Sequence, residues 1–368
     1  MMKNLNLYIE SLLDDEDEIA LDPRADIIVF IQNNYLFNNR TPGNPEESTW
    51  VIQTDGDIPI VHVNSSVKVK NTSIESLTNG LFKFGNICGR FDCSNCSKLE
   101  SLEGGPYKVA MSFICENCPN LKSLEGGPQY VGCASYNDSS YICRNCTSLT
   151  SLKGAPIGNV NLRDNYASLE GVDRNSGKLY LHVDANNCKS IKTIDWNIKE
   201  LRGDLYLHSC DLRDLNGSPR KITGEFLITN NKNLTSLKGA PLRIGEGFYA
   251  DCCTALKDLT GCPIMINKNA SIIYDFNRCT SLKDLKGAPD RIHKLKLDNC
   301  EKLEYLDELR EVYYISCINC YSLKPYTVVP NPYKHGMYNF PEAHLSGNAF
   351  VGDIGKNFKQ KGFRIKYE

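Results

Sequence analysis

The chain has 368 residues, 41% of them hydrophobic, and a formal net charge of -2. That apolar content supplies a sizeable core and excludes general disorder. The near-neutral balance, with no basic block, removes the electrostatic basis of nucleic-acid binding, in which Lys and Arg neutralise phosphates.

Residues 1–20 begin the chain with Leu5, Leu7, Tyr8, Ile9, Leu12 and Leu13 on one broad helical face. The acidic run Asp14–Glu18 follows and stays in solvent. Two readings stand for this segment: a terminal helix capping the protein, or a short peptide that docks on a partner. It lacks the apolar run of a signal peptide. Ile27–Ile31 is too short to span a bilayer, so no membrane partner is expected. Seventeen Cys, an odd count without an export signal, point to reduced thiols in a cytosol-like compartment.

Asp22 and Pro23 form a helix start, Asp as N-cap and Pro at the first helical position. A short buried helix is expected from Arg24 to about Tyr35. A loop over 38–45 and strands at Trp50–Gln53 and Ile58–Val63 complete an N-terminal cap over residues 21–65.

Repeats fill residues 66–324, after a degenerate first copy at Val67–Leu77. The first Leu of each L-x-x-L pair falls at Leu99, Leu121, Leu149, Leu169, Ile191, Leu212, Leu234, Leu256, Leu282, Leu303 and Leu323, mostly 20–22 residues apart. Insertions around Val131–Ser140 and Ile264–Ile272 are expected as protruding loops. Upstream of each pair lies a period-2 segment, such as Phe91–Cys96 or Leu295–Cys300, which reads as a strand. Seven copies end in Gly-x-Pro, from Gly104/Pro106 to Gly287/Pro289. Gly supplies unusual φ and Pro stops regular structure, so the return path is thin and non-helical. The copies at Leu169 and Ile191 lack Gly-x-Pro, and Leu212 follows Cys210 too closely. Residues 325–368 are read as a C-terminal cap, since a terminal coil exposes an apolar edge.

Leu295-x-Leu297-x-x-Cys300-x-x-Leu303 resembles the leucine-rich-repeat consensus L-x-L-x-x-N/C-x-x-L, over about Val67 to Leu323. The form N-C-x-x-L-x-S-L-x-G-x-P is similar to leucine-rich-repeat-like proteins encoded by bacterial viruses. The resemblance implies a β-rich solenoid: a right-handed coil with a parallel sheet on its concave face.

Four Cys-x-x-Cys pairs, Cys93/Cys96, Cys115/Cys118, Cys143/Cys146 and Cys317/Cys320, would suggest zinc or redox chemistry if taken alone. In register, other copies carry Ile228/Asn231 or Phe276/Cys279 there, and a metal ligand does not exchange with Phe. The first Cys is therefore core. The second joins an internal ladder, bonded to the backbone of the next coil. The six His (His62, His182, His208, His293, His335 and His344) have no i,i+4 ligand spacing, though His182 and His208 face the open sheet from adjacent strands. No nucleophile elbow, phosphate loop or paired-carboxylate signature occurs, so no enzyme, metal or cofactor is expected.

Residues alternating with the core positions point outward. One column reads Asp92, Ile114, Ile142, Asn161, Asp184, Tyr206, Leu227, Tyr249, Asp275, Lys296 and Ser316; the next includes Arg144, Arg163, His208 and Asp251. Ile114, Ile142, Tyr206, Leu227 and Tyr249, rimmed by Arg144, Arg163, His208 and Asp251, form the expected binding strip for a protein partner. The competing readings are scattered apolar exposure and a strip covered by a loop. The leading expectation is a non-catalytic interaction scaffold, acting on a bacterial host protein in the host cytoplasm if the viral resemblance holds. The alternative is a virion-associated structural or cargo protein directed by residues 1–20; a zinc or redox protein using the Cys-x-x-Cys pairs is a remote third.

Overall fold

The computed structural model describes residues 23–38, 50–133, 139–160, 178–266, 272–332, 341–347 and 351–367. Residues 1–20 and most of the two insertions lie outside them.

The period-2 segments are strands, and they stack. Ser66–Val69, Phe91–Asp92, Phe113–Ile114, Ser140–Ile142, His182–Asp184, Leu205–Tyr206, Glu225–Leu227, Gly247–Tyr249, Ile273–Asp275, Arg291–Lys296, Glu311–Ile318, Glu342–Ser346 and Arg364–Lys366 pair in parallel, each with the next. Tyr35–Asn38 closes the N-terminal edge antiparallel to Ser66–Val69. The chain is thus a parallel β-solenoid with little helix, of the leucine-rich-repeat-like kind expected.

Repetition explains the core. A residue at one position of a coil lies against its equivalent one rung away. Phe91, Phe113 and Tyr141 therefore stack, with ring centroids 5.7 and 5.2 Å apart and nearly parallel planes. Phe226 and Phe248 repeat the arrangement at 5.5 Å. Opposite the strands, the described L-x-x-L pairs, such as Leu99/Leu102 and Leu303/Leu306, are fully buried. Each such side chain contributes about 1.5–3 kcal/mol by leaving water.

The cysteine ladder is present, with one correction of direction. From Cys118 onward the ladder thiols donate to the strand carbonyl of the preceding coil, not the next. Cys118 reaches the Cys93 carbonyl at 3.3 Å, Cys146 that of Cys115 at 3.0 Å, Cys300 that of Phe276 at 3.2 Å and Cys320 that of Leu297 at 3.0 Å. Where the copy carries Asn231, its amide donates to the Leu207 carbonyl at 2.9 Å. An amide and a thiol both satisfy a buried carbonyl, which is why the two types interchange.

The residue before each ladder position turns the chain out of the strand with a left-handed backbone. Asn95, Asn117, Asn145, Asn187, Asn230, Asn299 and Asn319 do so with φ of 58–63°. Asn tolerates this region better than other L residues. Its amide also bonds along the stack, Asn117 to Asn95 at 3.0 Å and Asn145 to Asn117 at 2.7 Å. The Gly-x-Pro turns press against the coil before. A Cβ on Gly126 would sit 2.6 Å from Glu103 Cα, and its φ is +85°.

The return path is richer than a thin loop. Ile60–Val63, Lys83–Ile87, Lys108–Val109, Tyr130–Cys133 and Gly158–Val160 form a second parallel ladder, edged by Trp50–Gln53 antiparallel to Ile60–Val63. Lys178–Tyr180, Glu200–Arg202, Lys221–Ile222, Arg243–Ile244 and Ile264–Met265 form a third. Coils in these two ladders therefore bend once between two short strands, whereas Arg291–Lys296 and Glu311–Ile318 run on as single longer strands.

The copy at Leu169 lies within 161–177, outside the described residues, and in the main sheet Ser140–Ile142 is followed directly by His182–Asp184. Ile142 pairs directly with Asp184, and the Cys188 thiol donates to the Cys143 carbonyl at 3.0 Å. At Leu212 the turn is one residue shorter than its neighbours. Leu212 is still fully buried, and its amide is met by the Asn231 side-chain oxygen at 3.1 Å.

Among the described residues, helices lie only near the ends. Pro23–Asn34 buries Ile27 and Ile31 against the first coil. Val351–Gln360 buries Ile354 and Phe358, and Phe358 meets Phe363 edge-on at 5.2 Å.

Candidate functional site

Register decides which outward side chains meet. On the open face of the main sheet one row runs Asp92, Ile114, Ile142, Asp184, Tyr206, Leu227, Tyr249, Asp275, Lys296, Ser316 and His344. Asn161 and Arg163 lie outside the described residues. Ile114 and Ile142 are neighbours in one patch; Tyr206, Leu227 and Tyr249 form another, with Asp184 between. All five are half-buried.

The rim residues are engaged locally. Arg144 forks onto the Glu116 carboxylate at 2.6 and 3.1 Å and approaches Asp184 at 3.7 Å. His208 bonds the Thr229 hydroxyl through Nδ1 and the Ser209 hydroxyl through Nε2. Asp251 pairs with Arg278 at 3.0 Å. These pairs shape the face more than they offer charge to a partner.

A third outward row escapes a reading limited to two positions per strand. His182, Asp204 and Glu225 sit two residues before Asp184, Tyr206 and Leu227, and so share their face. The continued alternation Asp204-x-Tyr206-x-His208 is the signal that marks them. Asp204 accepts from His182 Nδ1 at 2.6 Å and from the Tyr206 hydroxyl at 2.9 Å. Its second oxygen accepts the Glu225 backbone N–H at 2.7 Å. Burial pushes the Asp204 carboxyl up, but the His182 bond, the Glu225 amide and the Tyr206 hydroxyl outweigh it and hold the group below the usual range.

Glu225 is gripped from both sides. The single Tyr206 O–H is shared between Asp204 at 2.9 Å and one Glu225 oxygen at 3.3 Å, and Tyr249 donates to the other at 3.2 Å. Burial, then the Glu225 charge, pushes Tyr249 up to about 12; burial, then Asp204, pushes Tyr206 up further. Tyr249 can lie back toward Glu225 because Gly247 sits beneath it: a Cβ there would be 2.6 Å from the ring.

No family model matches the chain, and no curated protein does. Among solved structures the chain is similar to a leucine-rich repeat protein from Bacteroides ovatus ATCC 8483. The match is 13% identical, covers 89% of this chain and 100% of the other, and has a TM-score of 0.30. At that score the likeness is loose, and the fold rests on the strand ladders themselves.

The Cys-x-x-Cys pairs and the histidines do not converge. Cys118, Cys146 and Cys320 spend their thiol protons on carbonyls, whereas a zinc ligand is a thiolate. Burial pushes Cys210 and Cys253 up to about 12. His182 and His208 do face the open sheet from adjacent strands, but each bonds its own neighbours. Among the described residues, no three His, Cys, Asp or Glu side chains are arranged to hold a metal.

Proposed function

We propose that the protein is a non-catalytic interaction scaffold that binds a partner protein on the open face of its main sheet. The observation that carries this reading is the Tyr206–Leu227–Tyr249 row. These are half-buried apolar side chains that the core does not require, on strands held in fixed register. Rigid aromatic anchors lose little conformational entropy on binding, which is why Tyr recurs as an interface anchor. The likeness of the N-C-x-x-L-x-S-L-x-G-x-P form to viral repeat proteins is what points to a bacterial host protein as the partner and to the host cytoplasm as the place of action. Among the described residues, no helix is long and apolar enough to cross a membrane.

Replacing Tyr206 and Tyr249 by Ala, with unchanged thermal melting, should abolish retention of the partner in affinity purification from the native host. Recovery of the same proteins by wild type and double variant would reject the surface.

A further inference from the structure

We infer that the Tyr206–Leu227–Tyr249 row is a seat for one basic side chain of the partner, an arginine or a lysine, with Glu225 as its counter-charge. The inference rests on the interaction-scaffold reading and names the chemistry of the partner.

Three observations carry it. First, Glu225 stands apart from its neighbours on the open face. Asp184 has Arg144, Asp204 has His182, Asp251 has Arg278 and Asp275 has Lys296 within 4.0 Å. Asp298 has no cation within 4.0 Å among the described residues, but one of its oxygens is taken by the Ser316 hydroxyl at 2.5 Å and the Ile318 N–H at 2.9 Å. Glu225 has only the two phenols, and no cation within 4.0 Å among the described residues. Each of its oxygens keeps a further lone pair for an incoming donor.

Second, the spacing fits. Tyr206 and Tyr249 lie two strands apart, with Leu227 between them. Two strand spacings are about 9.6 Å, which leaves room for one guanidinium plane or ammonium between aromatic side chains. The Leu227 side chain floors the gap and accommodates the methylenes of the incoming residue.

Third, the alternatives fit badly. An anionic group would meet Glu225 and Asp204 on adjacent strands. A purely apolar group would cover the Glu225 carboxylate without replacing its water, which is costly. The seat is also built into the backbone, since only glycine at 247 lets the Tyr249 ring reach Glu225.

The test is selection of a random nonapeptide display library on immobilised full-length protein, followed by anisotropy measurements with the selected peptides in labelled form. Enrichment of Arg or Lys on wild type is expected, together with at least a tenfold loss of affinity in Glu225→Gln, an isosteric change that keeps the fold. Selection on Glu225→Lys should reverse the preference toward Asp and Glu. Separate Arg and Lys versions of the best peptide distinguish a guanidinium from an ammonium seat. Enriched peptides without basic residues that lose binding in Tyr206→Ala would overturn the cation seat and leave the scaffold reading standing. Peptides that bind the Tyr206→Ala/Tyr249→Ala variant as well as wild type, or no retained peptide at all, would overturn both.

Discussion

Two tyrosines occupy the same inward position in different coils, and their hydroxyls meet different fates. Tyr274 donates to the Pro263 carbonyl at 2.9 Å. The Tyr141 hydroxyl is buried with no partner among the described residues. Removing a satisfied buried donor orphans its acceptor, whereas removing an unsatisfied one relieves a desolvation cost. Tyr274→Phe should therefore lose about 1–2 kcal/mol, and Tyr141→Phe should gain up to about 1 kcal/mol, read from chemical denaturation midpoints. Equal shifts in the two variants would contradict this account. The left-handed turn offers a second case. Cys252 adopts φ of 60° where most copies carry Asn. Cys252→Asn should raise stability by about 0.5–1 kcal/mol, because Asn is less strained there. The inward and ladder positions were legible from the sequence, since each copy repeats the same chemistry. The local pairing of Arg144, His208 and Asp251 was not, because the partners lie 28, 21 and 27 residues away and depend on rotamers rather than on pattern.

At the scale of the element, turn and strand carry different information. The Gly-x-Pro turn is a contact as well as a bend. A Cβ on Gly287 would lie 2.5 Å from Thr260 Cα, a backbone atom that cannot move alone, and the φ is +86°. Gly287→Ala should cost more than about 2 kcal/mol, by strain and by pushing adjacent coils apart, visible as a lowered melting temperature. An unchanged melt would mean that the turn yields freely. The strands explain what the sequence hid. A minimal L-x-L reading exposes two outward residues per coil, but the ladder runs longer and adds His182, Asp204 and Glu225. Between Ser140–Ile142 and His182–Asp184, which pair directly, the sequence holds one more copy of the period at Leu169, outside the described residues.

For the molecule as a whole, the cysteines set a pH limit. Unfolded thiols ionise near 9, while burial holds Cys210 and Cys253 up to about 12. Between those values the folded chain binds more protons than the unfolded one. This stabilisation is complete below pH 9 and is lost as pH rises toward 12, at about 1.4 kcal/mol per pH unit for each such thiol. Melting temperatures in reducing buffer should be flat from pH 7 to 8.5 and fall steeply above 9; a flat profile to pH 11 would show that the thiols titrate freely.

Each coil bonds chiefly to the coils on either side, so the protein is a linear stack whose rungs separate in sequence. Stretched between its ends in a force-spectroscopy experiment, it should lengthen in steps, each releasing one coil. About 21 residues at roughly 3.4 Å give increments of about 70 Å. The interval from Cys146 to Cys188 is 42 residues, so one increment should be about twice the others. The sawtooth would thus count the coils, and its single long tooth would mark the direct pairing of Ile142 with Asp184.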